Sequence, residues 1–141
     1  VLGLLEEEIH TRKISVNLNI QGDLPKIRIK EHQLFEIINN LVKNALEAIG
    51  NDGLLLVLAG SIDNKVVITI QDTGQGISSE VEKEIFSPFF TTKERGTGLG
   101  LVVVKKLVEE NHGTIEVRSI PGQSTTFIIS FPIEDTGGSY E

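Results

Sequence analysis

Three short segments, which follow one another at similar spacing along the chain, limit the possible folds more than any other feature. They are NNLVKNALEA at residues 39–48, DTGQGI at residues 72–77 and GTGLGL at residues 96–101. The first has a helical pattern with an unusual polar face, and the other two are turns rich in glycine. Each is a weak signal alone, but together they predict one site built from a helix and two turns.

Composition and charge exclude several classes of protein. The 141 residues suffice for one domain with a real hydrophobic core, and the formal net charge of -7 argues against a general nucleic-acid binder. The absence of cysteine excludes disulfides, thiolate nucleophiles and cysteine zinc sites. The longest apolar run, at residues 54–59, is far too short to cross a bilayer.

We expect the chain to be a piece of a longer protein, because it contains no Met and begins abruptly at Val1. Residues 1–13 are interpreted as the remnant of an upstream helix and linker. Residues 14–134 form the predicted folded domain, and the polar, glycine-rich residues 135–141 are a predicted disordered tail.

Hydrophobic periodicity predicts a mixture of helices and strands. Helices are predicted at residues 31–49, 79–85 and 99–111. Alternating or continuous apolar patterns predict strands at residues 14–20, 26–30, 54–59, 65–71, 114–119 and 126–131. Because several of these strands follow one another as hairpins, we expect a two-layer α/β sandwich.

The first segment places Asn40, Lys43 and Asn44 in one narrow sector of the predicted helix, since each helical residue advances by about 100°. Two asparagines one turn apart are poor helix formers, but their amide oxygens suit a hard cation such as Mg²⁺. Lys43 would then neutralise phosphate charge. The alternative is that the sector, which also holds Glu36 and Glu47, is simply the solvated face of an amphipathic helix.

The second segment places Asp72 at the end of an apolar strand, where functional groups are often displayed. A buried carboxylate there needs hydrogen-bond donors, and the 6-amino group of adenine is one. Gly74 and Gly76 allow the backbone to approach a flat ring. The alternative is a simple loop in which the aspartate accepts hydrogen bonds from its own turn.

The third segment is a glycine-rich turn directly before a helix, where backbone N–H groups favour a bound anion. It matches neither the P-loop nor the dinucleotide-binding fingerprint. Lys93 and Arg95 lie just upstream and are suited to clamp a γ-phosphate. In this order, the three segments predict an ATP site.

Half of the phenylalanines in the chain, Phe86, Phe89 and Phe90, lie in a stretch at residues 86–95 with little periodicity. Apolar anchors in such a loop suit a lid that folds over a nucleotide or docks on a partner. The alternative is that they pin the loop to the core. We favour the core role for Phe86 and the lid role for Phe89 and Phe90.

These residues resemble the catalytic ATP-binding domain of sensor histidine kinases, in the superfamily that includes gyrase, Hsp90 and MutL. The three segments are similar to the family's asparagine box and its first and second glycine boxes. FSPFFTTK at residues 86–93 is similar to its phenylalanine box, and GQSTTFIISFP at residues 122–132 to its last glycine box. The resemblance covers about residues 14–133 and implies an α+β two-layer sandwich, the Bergerat ATP-binding fold, with a mixed sheet of about five strands backed by three helices.

The resemblance also implies roles for individual residues. Asn40 and Asn44 would hold Mg²⁺, Lys43 and Lys93 would contact phosphates, and these four form the implied catalytic group. Ser124 departs from the pattern, because the family often has glycine there. The implied nucleotide-binding set is Asn40, Lys43, Asn44, Ala48, Asp72, Gly74, Gly76, Ile77, Phe86, Phe90, Thr92, Lys93, Gly96, Thr97, Gly98, Leu99, Gly100, Leu101 and Thr125.

The asparagine helix favours a kinase over an ATPase. The ATPases of the superfamily have a glutamate one turn before the metal-binding asparagine, but here that position holds Asn40, whose amide cannot take a proton from water. His10, His32 and His112 do not match the family's phosphoacceptor motif, so the acceptor histidine is expected in an absent upstream helical domain. The alternatives are a non-catalytic nucleotide-binding module, a serine kinase, or an ATPase that uses Glu36.

The resemblance also implies partners and a location. The expected partners are the upstream dimerisation and phosphoacceptor domain and a response regulator, and no nucleic acid. The isolated domain is expected to be monomeric and the full-length protein a homodimer. The domain would face the cytoplasm, and whether the full-length protein is anchored in a membrane stays open.

Overall fold

The computed structural model describes residues 5–74, 76–86 and 100–133. The helices of this part of the chain are α1 (Glu6–Thr11), α2 (Glu31–Ile49), α3 (Ser79–Glu82) and α4 (Gly100–Glu110). The strands are β1 (Ser15–Ile20), β2 (Leu54–Ile62), β3 (Lys65–Asp72), β4 (Thr114–Ile120) and β5 (Ser124–Pro132). Within the described ranges, no helix is both long enough and apolar enough to cross a membrane.

The strands form one mixed sheet in the order β1-β2-β3-β5-β4. β1 pairs with β2 in parallel, and all other neighbours are antiparallel. α2 packs on β2 and β3, whereas α3 and α4 pack on β4, and α2 also contacts α4. The prediction of a five-stranded mixed sheet backed by three helices is therefore confirmed.

The hydrophobic core lies between the helices and one face of the sheet. Alternate residues of β3 and β5 are buried, as the period of two in a strand requires, and directly opposed pairs such as Ile68 and Ile129 share the inner face. α2 contributes its apolar stripe, formed by Ile37, Leu41, Val42, Ala45 and Leu46. The amphipathic character predicted for this helix is confirmed.

Tight turns connect consecutive strands of the predicted hairpins. Asp63 and Asn64 join β2 to β3 with φ of 51° and 63°, and this pair of left-handed residues matches the twist of a two-residue hairpin. α4 ends before His112, whose φ is also positive at 63°. The β4–β5 turn contains Gly122 with φ of 80° and closes through a hydrogen bond from the Gln123 N–H to the Ile120 carbonyl at 2.9 Å.

The prediction of a strand at residues 26–30 was wrong. In this stretch Ile27 makes one isolated bridge, with Ile133. The N–H of Ile29 then turns back to the carbonyl of Ile27 at 3.2 Å, and the chain enters α2 instead of continuing along a neighbouring strand. The alternation of Ile27 and Ile29 serves to pack both partly buried side chains against the core.

Candidate functional site

The site begins with a row of side chains at one end of the sheet. Asp72 of β3 lies opposite Leu55 of β2 on one side and Thr125 of β5 on the other, and Thr125 lies opposite Ser119 of β4. Opposed residues in antiparallel strands project from the same face. The four side chains therefore form a row on the helix-facing side, which is polar at three of its four positions.

Asp72 is buried, with 3% of its surface exposed, and a buried carboxylate requires hydrogen-bond donors. The backbone N–H of Gly74 is one such donor and lies 2.8 Å from the Asp72 Oδ1. Asp72 thus accepts a hydrogen bond from its own turn, which is the alternative that the sequence left open. The bond does not exclude a ligand role, because a carboxylate has about four acceptor positions.

Gly74 connects this turn to the C-terminal end of α2. A Cβ atom at Gly74 would lie 2.7 Å from both the carbonyl carbon and the oxygen of Ala48, and 2.8 Å from the Asp72 Oδ1. These distances are shorter than real Cβ contacts, so a larger residue at this position would force the backbone to shift. The close approach brings Ala48, Gly74 and Asp72, all predicted site residues, into one place.

Ser119 fixes the other end of the same turn, a role that no motif in the sequence indicates. The Ile77 N–H donates to the Ser119 Oγ at 2.6 Å, and the Ser119 hydroxyl lies 3.1 Å from the Ile77 carbonyl oxygen. One signal was present: Ile115, Val117 and Ser119 are the inward-facing series of β4, and a hydroxyl stands where the pattern favours an apolar side chain.

Asn40 links α2 to the start of α4. Its Nδ2 donates to the carbonyl of Glu36 at 2.9 Å, within the same helix. Its Oδ1 faces Gly100, where an added Cβ would lie only 3.1 Å from that oxygen. The structure therefore brings the asparagine helix and the last glycine of the third segment into contact.

The other two residues predicted to bind metal or phosphate from the asparagine helix are accessible. Lys43 is exposed and Asn44 is half-buried, and Asn44 takes part in at least one interaction within the protein. The described ranges hold no group of three or more His, Asp, Glu or Cys side chains placed to bind a metal ion. A cation held by Asn40 and Asn44 would thus take its other oxygen ligands from water and from a bound phosphate, which is the usual habit of Mg²⁺.

Phe86 packs on the core of the domain. Its ring lies edge-on to Phe127, with 6.5 Å between centroids and an angle of 77° between planes. The Nζ of Lys105 lies 5.5 Å from the centroid of the Phe86 ring. This packing agrees with the core role favoured for Phe86 in the sequence.

Leu101 and Ile77 are partly buried against the same core, and Thr125 is 6% exposed in the row beside Asp72. Several predicted site residues lie outside the described residues, and so does the predicted tail at residues 135–141. Those site residues are Phe89, Phe90, Thr92, Lys93, Arg95, Gly96, Thr97, Gly98 and Leu99.

Comparison with known proteins relates the chain to one family of nucleotide-dependent enzymes. The model of the family described as histidine kinase-, DNA gyrase B- and HSP90-like ATPase matches residues 29–135. Sensor histidine kinase ZraS of Escherichia coli K12 is 38% identical over 135 residues, which make up 96% of this chain and 29% of ZraS. The chain thus spans less than a third of the length of this relative.

Solved structures agree with the sequence comparison. The catalytic domain of histidine kinase ThkA superposes with a TM-score of 0.84 at 31% identity, covering 94% of this chain and 87% of that domain. Full-length ShkA in complex with AMPPNP gives a TM-score of 0.84 at 30% identity, covering 93% of this chain and 28% of ShkA. A further structure holds ThkA in complex with response regulator protein TrrA, with a TM-score of 0.80 at 28% identity and coverage of 94% and 38%.

Proposed function

Because the chain belongs to the family of histidine kinase-, DNA gyrase B- and HSP90-like ATPases, we propose that it is the catalytic domain of a sensor histidine kinase. In this proposal the domain binds Mg-ATP and transfers the γ-phosphate to a histidine on a separate dimerisation and phosphoacceptor domain. The phosphoryl group then passes to a response regulator. The named relatives are sensor histidine kinases, which supports this choice within the family.

The contact between Asn40 and Gly100 is the observation that carries the proposal. The amide of Asn40 donates to its own helix through Nδ2 and presents its oxygen to the start of α4. An amide oxygen in this position can bind a cation, but it cannot remove a proton from water. The site therefore suits transfer to an acceptor better than hydrolysis.

The predicted site residues divide into four groups by role. Asn40 and Asn44 would supply amide oxygens to Mg²⁺, which would neutralise charge on the phosphates, and Lys43 would add a further positive charge. Asp72 and Thr125 would receive the adenine, with the Asp72 carboxylate accepting from the 6-amino group. Ala48, Gly74, Gly76 and Ile77 would line the base, and Gly100 and Leu101 would lie at the phosphates with Lys93, Gly96, Thr97, Gly98 and Leu99.

Two relatives support the proposed ligand and partner. ShkA was solved with AMPPNP, an ATP analogue, and ThkA with response regulator protein TrrA. We extend both findings to this chain, with the domain facing the cytoplasm, where ATP and response regulators are found. The isolated domain is proposed to be monomeric, since dimerisation belongs to the helices of the phosphoacceptor domain.

A transfer assay tests the proposal. The chain is mixed with the phosphoacceptor domain of the same kinase and γ-labelled ATP, and the expected product is acid-labile phosphohistidine. Asn44→Ala should abolish transfer, whereas Asn39→Ala, on the same helix but outside the polar sector, should preserve it. Full transfer by Asn44→Ala would refute the metal role of this residue.

Other products would point to other functions. Acid-stable phosphoserine would indicate a serine kinase, and tight Mg-ATP binding without transfer to any acceptor would indicate a regulatory module. Steady release of phosphate by the domain alone, lost in Glu36→Gln, would indicate an ATPase. Glu36 is exposed on α2, so its substitution should leave folding intact.

A further inference from the structure

We propose that Ser119 is a positioning residue that sets the discrimination of the site for adenine. The proposal rests on the function proposed above, in which Asp72 accepts a hydrogen bond from the adenine 6-amino group. Ser119 does not touch the base in this view. It acts through the turn between Asp72 and Ile77, whose two ends are fixed by different strands.

The hydroxyl of Ser119 lies within hydrogen-bond distance of three backbone groups. It accepts from the Ile77 N–H at 2.6 Å and lies within donor distance of the Ile77 carbonyl at 3.1 Å and the Ser124 carbonyl at 3.2 Å. A hydroxyl has one proton and two acceptor positions, so it can satisfy the N–H of Ile77 and one of these carbonyls together. No apolar side chain can replace this set of bonds.

The two ends of the turn lie on opposite sides of the start of β5. Asp72 is the last residue of β3 and Ile77 meets Ser119 of β4, and β5 lies between those strands in the sheet. Gly76 has φ of 69°, and a Cβ there would collide with the carbonyl oxygen of Ile120 at the end of β4. This end of the turn is therefore held close against β4.

The opposite end of the turn controls the Asp72 carboxylate. Gly74 donates to the Asp72 Oδ1 at 2.8 Å and packs on the backbone of Ala48. In this proposal the hydrogen bond at Ile77 helps to keep the Gly74 N–H in place, and that N–H donates to one carboxylate oxygen of Asp72. Loss of the Ser119 hydroxyl would release the Ile77 end and allow Gly74 and the carboxylate to move.

Amide hydrogen exchange in the nucleotide-free chain tests the structural step. Ser119→Ala should speed exchange of the Gly74 amide by about tenfold, since the net value of one hydrogen bond corresponds to a change of this order. The matched control is Thr114→Val, which removes a hydroxyl that lies 2.6 Å from the Ser130 hydroxyl at the far end of the same strand pair. The control should leave Gly74 unchanged, and Ser119→Thr should restore slow exchange.

Nucleotide affinity tests the consequence for specificity. Ser119→Ala should weaken binding of Mg-ATP about tenfold and binding of Mg-ITP less than twofold, because inosine has no 6-amino group to donate to Asp72. An equal loss of affinity for both nucleotides would show that Ser119 has only a general structural role, and it would overturn the proposal. Unchanged Gly74 exchange in Ser119→Ala would also overturn the proposal.

These outcomes separate the two proposals. If the wild-type chain binds neither nucleotide, the proposed function fails, whatever Ser119 does to the turn. If the wild-type chain prefers ATP and Ser119→Ala keeps the full preference, the function stands and the role of Ser119 fails. Thermal unfolding shows whether Ser119→Ala keeps its fold. If it does not, Ser119→Cys, which is close in size but has a much weaker hydrogen-bonding group, carries the same test with the same expected results.

Discussion

The amide oxygen of Asn40 lies 3.1 Å from the position that a Cβ on Gly100 would occupy. The nearest atom is thus the far end of a side chain, which can move, and not a backbone atom. The two residues come from segments far apart in the sequence. Their contact is where the predicted metal ligand on α2 meets the start of α4.

Gly100→Ala should therefore weaken nucleotide binding without destabilising the fold. The added methyl group displaces the Asn40 amide, so the affinity for Mg-ATP should fall by at least about fivefold. Unfolding should not become easier, because the nearest atoms belong to a side chain that can move and alanine is a better helix former than glycine. Calorimetric titration measures the binding, and the loss should shrink when the titration is repeated with EDTA. An equal loss without metal would contradict the link through Asn40.

Gly74→Ala should destabilise the fold. The methyl group would meet the carbonyl atoms of Ala48 at 2.7 Å, and backbone atoms cannot rotate away as a side chain can. Overpacking of this kind costs about 1–3 kcal/mol in the free energy of unfolding. Urea denaturation followed by circular dichroism measures the change.

Gly22→Ala is the matched control for Gly74→Ala. A Cβ at Gly22 would meet no atom within 4 Å, so this substitution should change the free energy of unfolding by less than about 1 kcal/mol. Similar losses at both glycines would show that the Ala48 contact is not the cause.

Asp72→Asn should reduce nucleotide affinity while preserving the turn. The amide oxygen of asparagine can still accept from the Gly74 N–H, but the negative charge that would receive the adenine amino group is gone. We expect affinity for ATP to fall by at least about tenfold, with little change for ITP. Asp63→Asn, in the exposed β2–β3 turn, should bind as the wild type does. Unaltered ATP affinity in Asp72→Asn would remove this residue from the base site.

Arg12→Ala should weaken the attachment of α1 to the C-terminal end of α2. The Arg12 Nη1 donates to the Leu46 carbonyl at 3.0 Å, and the Arg12 Nη2, directly after α1, lies 3.6 Å from a carboxylate oxygen of Glu8 in α1. A charge-assisted bond at a helix C-terminus contributes about 1 kcal/mol, so the free energy of unfolding should fall by that order.

Arg118→Ala provides the comparison for Arg12→Ala. Arg118 pairs with Glu116 at 3.2 Å, but both side chains are largely exposed, and exposed pairs contribute little. Its stability in urea should match that of the wild type. A larger effect at Arg118 than at Arg12 would contradict the capping role.

The elements with strong periodicity could be predicted from the sequence because their burial follows from local geometry. The polar and apolar faces of α2 were separated correctly, since a period of 3.6 residues fixes which side chains share a face. The strands predicted at residues 54–59 and 65–71 likewise form a hairpin, whose turn is made by Asp63 and Asn64. At residues 26–30 the local pattern does not fix the structure, because the alternation of Ile27 and Ile29 reflects burial and not the presence of a partner strand.

In the described part of the candidate site, some residues could be predicted from the sequence and others could not. Asp72, Gly74 and Asn40 belong to short motifs whose residue types already indicate their chemistry. Ser119 belongs to no such motif, and its importance depends on its neighbours. The sequence offered two alternatives for Asp72, a ligand role and a hydrogen bond within its own turn. It could not decide between them, because the hydrogen bond depends on where Gly74 meets Ala48.

The sequence by itself determined the residue types of the site and the periodic faces of the elements that carry them, since both are local properties of the chain. Only the tertiary structure decided which of these residues meet. Ser119 reaches Ile77 across 42 positions of sequence because β4 and β3 both flank β5 in a particular register. A shift of that register by one residue would turn Ser119 to the other face of the sheet, and no local pattern specifies the register.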